Sequence, residues 1–114
     1  STIPEAKKSW ERAIQKLRDI INQKYTFVTL SEEGVLIEKE GVLEFIPAHI
    51  RNIADVSGAG DTVISVASLC LAAKTSPTMM ASLANLAGGL VCEEAGVVPI
   101  DPQLLMEEAE RAGL

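Results

Sequence analysis

The segment Asp55-Val56-Ser57-Gly58-Ala59-Gly60-Asp61-Thr62 constrains this chain more than any other, because a glycine-rich turn there runs directly into an apolar helical sequence. Gly58 and Gly60 open backbone conformations closed to other residues and let the main chain approach a ligand closely. The N–H groups of Gly58, Ala59 and Gly60 can then converge on an anion at the positive end of the following helix, with Asp61 beside it. That is the layout of a phosphate site. The same glycines would also serve a tight strand-to-helix turn that binds nothing.

Periodicity organises the remainder. Thr2 and Glu5 have capping-box spacing and Pro4 suits a first turn, while Trp10, Ala13, Ile14, Leu17, Ile20 and Ile21 share one helical face ending near Asn22. Tyr25 to Leu30, Val35 to Ile37 and Val42 to Ile46 read as three strands, with a tight turn at Lys39-Glu40-Gly41 joining the last two as a hairpin. After the glycine turn, Val63 to Ala73 is apolar nearly all round, so a helix buried on several sides is expected. Ser76-Pro77 opens a helix to about Ala95, with Gly96 as its stop. Its small residues Ala81, Ala84, Ala87 and Gly88 leave one side bare, open to close approach by backbone or a flat ligand. Asp101-Pro102 opens a last amphipathic helix through Leu105 and Ala109, closed by Gly113. The expectation is one α/β domain over residues 1–114, with a small sheet, a large helical complement and the look of part of a larger sheet.

Composition narrows the function. A net charge of −6 argues against a non-specific nucleic-acid binder, which needs many Lys and Arg contacts to phosphate. An anionic ligand must therefore be held locally, by backbone dipoles with or without a metal ion. Cys70 and Cys92 lie in apolar helical runs without the CxxC spacing of a zinc or redox site, as buried free thiols in a reducing cytosol would. No apolar run approaches the roughly 20 residues that span a bilayer, and the sequence opens on a helix cap rather than a leader, so a cytoplasmic protein without membrane contact is expected. His49, the only histidine, reads as a solvated loop residue. Glu107, Glu108 and Glu110 read as a solvated face rather than a metal site. A dinucleotide fingerprint is disfavoured, because the third spaced glycine and the later ribose-binding acid are missing. A P-loop fails for want of its Gly-Lys-Ser/Thr ending.

DVSGAGDT resembles the C-terminal signature of the ribokinase-like, or PfkB, carbohydrate kinases. VTLSEEGVLI (Val28 to Ile37) is similar to that family's strand and turn under the nucleotide, and ANLAGGLVCEEAGVVPI (Ala84 to Ile100) to its late adenine-side helix and the loop after it. The three segments occur in the family's order. Within the family, Ser-Glu-x-Gly paired with DVSGAGDTV looks most like the heptose-7-phosphate kinases of lipopolysaccharide-core synthesis, often fused to an adenylyltransferase. Ser31 stands where many members carry Gly.

The resemblance implies the C-terminal portion of a Rossmann-type three-layer fold, with a small sheet and hairpin packed by helices, lacking the N-terminal half that binds the sugar. It implies ATP with Mg2+ as cofactor and a sugar or sugar phosphate as substrate. Asp61 would be the general base, and Gly58, Ala59 and Gly60 the anion hole. Thr29, Ser31 and Gly34 would border the nucleotide, with Asn85 and Gly88 on the adenine side. A buried Asn85 amide needs a partner, from adenine or from within the protein. Asp55 and Ser57 match the region where some members bind a monovalent cation such as K+; an ordinary turn cap is the alternative. Ribokinase- or fructokinase-like activity, a non-catalytic nucleotide-sensing or interaction module, and a homodimer remain open.

Overall fold

Three strands, β1 (Tyr25–Thr29), β2 (Gly34–Lys39) and β3 (Val42–Pro47), form one antiparallel sheet in the order β1-β2-β3. The computed structural model describes residues 3–30, 33–48, 54, 58–94 and 96–114. The expected turn between β2 and β3 is present: Glu40 (φ 52) and Gly41 (φ 86) both take the left-handed conformation, which matches the twist of a two-residue hairpin. Lys39 pairs with Val42 across it. β1 and β2 are also antiparallel, with Phe27 opposite Ile37 and Thr29 opposite Val35.

Alternation makes β2 the centre of the molecule, because successive side chains leave opposite faces of the sheet. Val35 and Ile37 enter a core shared with Val63, Val66, Ala67 and Cys70 of α2 (Ala59–Ala72) and with Met80, Ala81, Ala84 and Ala87 of α3 (Pro77–Cys92). Leu36 and Glu38 are equally buried on the opposite face. There the Glu38 carboxylate pairs with the guanidinium of Arg18 on α1 (Ile3–Ile21), so α1 lies across that face and the sheet is covered on both sides. Each large aliphatic side chain buried this way stabilises the fold by roughly 1.5–3 kcal/mol. α4 (Pro102–Arg111) is capped by Asp101, whose carboxylate accepts from the N–H groups of Gln103 and Leu104. It lays Leu104, Leu105 and Ala109 on Leu86 and Leu90 of α3.

Three expectations are corrected. α2 is buried along one side only; Ile64, Leu69 and Leu71 are exposed, because among the described residues α3 and the core cover just the Val63–Cys70 stripe. The apolar face of α1 buries Ile14 and half-buries Trp10, but leaves Ala13, Leu17, Ile20 and Ile21 exposed. α3 ends at Cys92, short of the expected Ala95, although Gly96 does adopt a positive φ of 78. Cys70 and Cys92 are buried and outside any disulfide, as expected. Thr2, His49 and Ala95 lie outside the described residues.

Gly34 has φ +124, and a Cβ there would sit 2.1 Å from the Ile46 carbonyl oxygen on β3. Neither the conformation nor a backbone neighbour can give way. Gly34→Ala should therefore lower stability by about 2 kcal/mol or more, read from chemical denaturation.

Glu38 makes stability pH-dependent. Burial pushes its carboxyl upward, but the Arg18 hydrogen bond, the Gly41 N–H, the Arg18 charge and the Thr26 hydroxyl outweigh that and leave it below its ordinary value. A carboxylate depressed in the folded state adds stability above its unfolded pKa of about 4, and that stability is lost as pH falls through the lower folded value. Thermal melts from pH 7 to pH 3 should show this acid loss. Glu38→Gln should be less stable than wild type at pH 7, and the gap should narrow at pH 3.

Candidate functional site

Gly58 is the N-cap of α2, with φ 77 and ψ −3. This left-handed conformation explains why glycine stands there. Among the described residues no side chain caps the helix, and its first internal bond runs from the Thr62 N–H to the Gly58 carbonyl at 3.1 Å. The N–H groups of Ala59, Gly60 and Asp61 consequently leave the helix end without an intrahelical acceptor. The Thr62 hydroxyl also donates to the Gly58 carbonyl, at 3.3 Å, and steadies the turn. Gly60 and Asp61 are exposed, and a Cβ on Gly60 would meet nothing within 4 Å. Open donors, free space and the helix dipole suit an anionic oxygen cluster such as a terminal phosphate. Asp61 is the acidic side chain of the first turn.

A second group gathers where β3 leaves the sheet. Gly34 pairs with Pro47, and the Pro47 carbonyl accepts the Asn85 side-chain amide at 2.6 Å. The Leu30 N–H donates to the Gly34 carbonyl at 2.9 Å, placing the end of β1 and its exposed Thr29 beside Gly34. α3 links this group to the glycine turn: Asn85 serves the sheet end, and Gly88, about one turn further on, faces α2.

Asn85, Gly88 and Gly34 each have a neighbour within the protein that accounts for them. The buried amide of Asn85 finds its partner in Pro47, so hydrogen-bond need no longer points to adenine. The small side of α3 is closed by α2 rather than left for a flat ligand: Ala81, Ala84 and Ala87 have no exposed surface, and Gly88 is buried against Val63. Gly34 is likewise accounted for by its conformation and by β3. Ser31, Asp55 and Ser57 lie outside the described residues. Among the described residues, no group of three or more His, Cys, Asp or Glu side chains gathers. Glu107 and Glu110 are exposed as expected, whereas Glu108 is half-buried and bonds Arg111. No helix among the described residues is long and apolar enough to cross a membrane.

Two long-range contacts had no local signal in the sequence. The Ala54 N–H donates to the Cys92 carbonyl at 2.8 Å, and Val97 lies against Gly58.

Residues 2–104 match the pfkB family carbohydrate kinase model. The chain belongs to the pfkB family of carbohydrate kinases. It is 45% identical over 85 residues to the bifunctional protein HldE of Campylobacter curvus, covering 74% of this chain and 18% of that protein. To HldE of Desulfatibacillum aliphaticivorans it is 43% identical over 94 residues, covering 82% of this chain and 19% of that protein. The chain thus spans under a fifth of the length of these curated relatives. Among solved structures, a probable sugar kinase from Rhizobium etli superposes with a TM-score of 0.74 at 31% identity, over 90% of this chain and 30% of that one. Phosphofructokinase-2 from Escherichia coli, solved with potassium, shares the fold with a TM-score of 0.79 at 18% identity, over 90% of this chain and 33% of that one. The chain therefore has the fold of the part of these kinases that it matches.

Asn85→Ala should lower stability by about 1–3 kcal/mol, because it strands the Pro47 carbonyl at the sheet end. Equilibrium unfolding checks this, and an unchanged midpoint would show that the bond contributes nothing.

Proposed function

We propose that residues 1–114 supply the nucleotide-phosphate side of an active site in a longer protein that transfers the γ-phosphoryl group of ATP to a sugar or sugar-phosphate hydroxyl. Similarity to the HldE proteins favours heptose 7-phosphate as the acceptor. The observation that carries the reading is the exposed N-terminus of α2, with its left-handed glycine cap, N–H groups that no side chain caps among the described residues, and Asp61 in the same turn.

On this reading, Gly58, Ala59 and Gly60 donate main-chain N–H groups to the oxygens of the transferring phosphoryl group. Asp61 orients the sugar hydroxyl and accepts its proton while the hydroxyl oxygen bonds to the γ-phosphorus and the bond from that phosphorus to the β–γ bridging oxygen breaks. A loose transition state tolerates a weak base, because positioning and charge stabilisation supply most of the acceleration. Mg2+ bound with ATP supplies the positive charge that a chain of net charge −6 offers sparingly. Thr29, Ser31 and Gly34 border the nucleotide, and the adenine lies on the Asn85 side of α3. Asp55 and Ser57 are the residues we assign to a monovalent cation such as K+, in keeping with the fold shared with a phosphofructokinase solved with potassium. The sugar is held by residues beyond this chain.

Asp61→Asn in the longer protein should lower kcat about 10²–10⁴-fold while leaving the KM for ATP nearly unchanged. A loss confined to the KM for ATP would make Asp61 a binding group and not the base. Residues 1–114 alone should transfer no phosphate to a sugar, and measurable transfer would contradict this division of the site.

A further inference from the structure

We infer that Gly88 and Val97 are positioning residues that hold the N-terminus of α2 in its anion-binding geometry. The inference rests on reading that terminus as a phosphate site. α3 and the turn after it grip the glycine turn at three points. A Cβ on Gly88 would lie 2.5 Å from Val63 Cγ2 and 3.8 Å from the Ala59 carbonyl oxygen. A Cβ on Gly58 would lie 3.0 Å from Val97 Cγ1, so Val97 closes on the left-handed cap although 76% of its own surface is exposed. The Cys92 carbonyl holds the Ala54 N–H, fixing the chain just ahead of the turn.

The packing at Gly88 reaches the site through Val63 and the helix backbone that Val63 shares with Ala59, since a Cβ at 88 would meet the Ala59 carbonyl only at an ordinary van der Waals distance. The Ala59 carbonyl and the Gly60 N–H belong to one planar peptide, so whatever sets the position of that oxygen sets the direction of an anion-hole donor. Val63 cannot absorb an added methyl by swinging away, since a β-branched side chain in a helix has essentially one rotamer and this one is buried in the core. A larger residue at 88 therefore displaces the first turn of α2. Glycine at this position acts through Val63 and Ala59 and needs no contact with nucleotide.

The test compares Gly88→Ala, Val63→Ala and the double variant in the 114-residue chain, by calorimetric titration with Mg-ATP, by thermal melting and by the ligand-free amide resonances of Gly60 and Asp61. Gly88→Ala should shift those resonances and weaken Mg-ATP binding by about ten- to a hundredfold. Val63→Ala in the same chain should restore both, although it deletes core methyls and leaves the melting temperature low. Wild-type resonances and affinity in Gly88→Ala, with only the melting temperature reduced, would overturn the inference. So would a double variant that recovers neither. Should Gly88→Ala fail to fold, Val97→Ala decides by the same readouts at Gly58 and Gly60: shifted resonances support the inference and unchanged ones overturn it. Absence of Mg-ATP binding by wild type would count against the phosphate reading itself, and the ligand-free resonances would still decide whether Gly88 positions the turn.

Discussion

The close packing of α2 on α3 is the contact on which the rest of this structure depends. Ala81, Ala84, Ala87 and Gly88 present almost no side chain, so the two helices approach closely and Val63 fills the hollow above Gly88. Protein interiors are close-packed, and a fit of this kind transmits small displacements instead of absorbing them. One end of the contact anchors α3 to the sheet through Asn85 and Pro47, and the other end carries the glycine turn. The stripe of small residues thus connects the middle of the sheet to the exposed N-terminus of α2 through a single rigid helix.

On the far face of the sheet the logic is electrostatic. Glu38 would be expensive to bury alone, and it is tolerated because Arg18, the Gly41 N–H and the Thr26 hydroxyl satisfy its oxygens together. That arrangement fixes α1 against β2. It also uses the hairpin turn, since Gly41 donates to the carboxylate from a conformation natural to glycine.

Most of the element order was legible because it rests on local rules. The Ser76-Pro77 and Asp101-Pro102 starts, the Lys39-Glu40-Gly41 turn and the glycine cap of α2 are each set by a few adjacent residues. The left-handed turn at Gly58 was legible for the same reason, as glycine there carries its own conformational requirement. What could not be read was whatever depends on partners distant in sequence. The run from Val63 to Ala73 is apolar nearly all round, which states how much surface needs covering but not what covers it, so Ile64, Leu69 and Leu71 stand exposed here. The bare side of α3 read equally as a helix contact or a ligand surface. Only the placement of Val63 decides between them. Pairing of Arg18 with Glu38, Asn85 with Pro47, and Val97 with Gly58 likewise left no local pattern.

On the proposed reading, the N–H groups at the start of α2 form a phosphate site within these residues. Titration of the isotopically labelled chain with Mg-ATP and, separately, with sodium tripolyphosphate, followed by amide resonances, tests it most directly. Saturable shifts that are largest at Ala59, Gly60 and Asp61 are expected with both ligands, because the triphosphate is the shared element. Saturable shifts centred elsewhere, or none at these three amides in a folded chain, would contradict it.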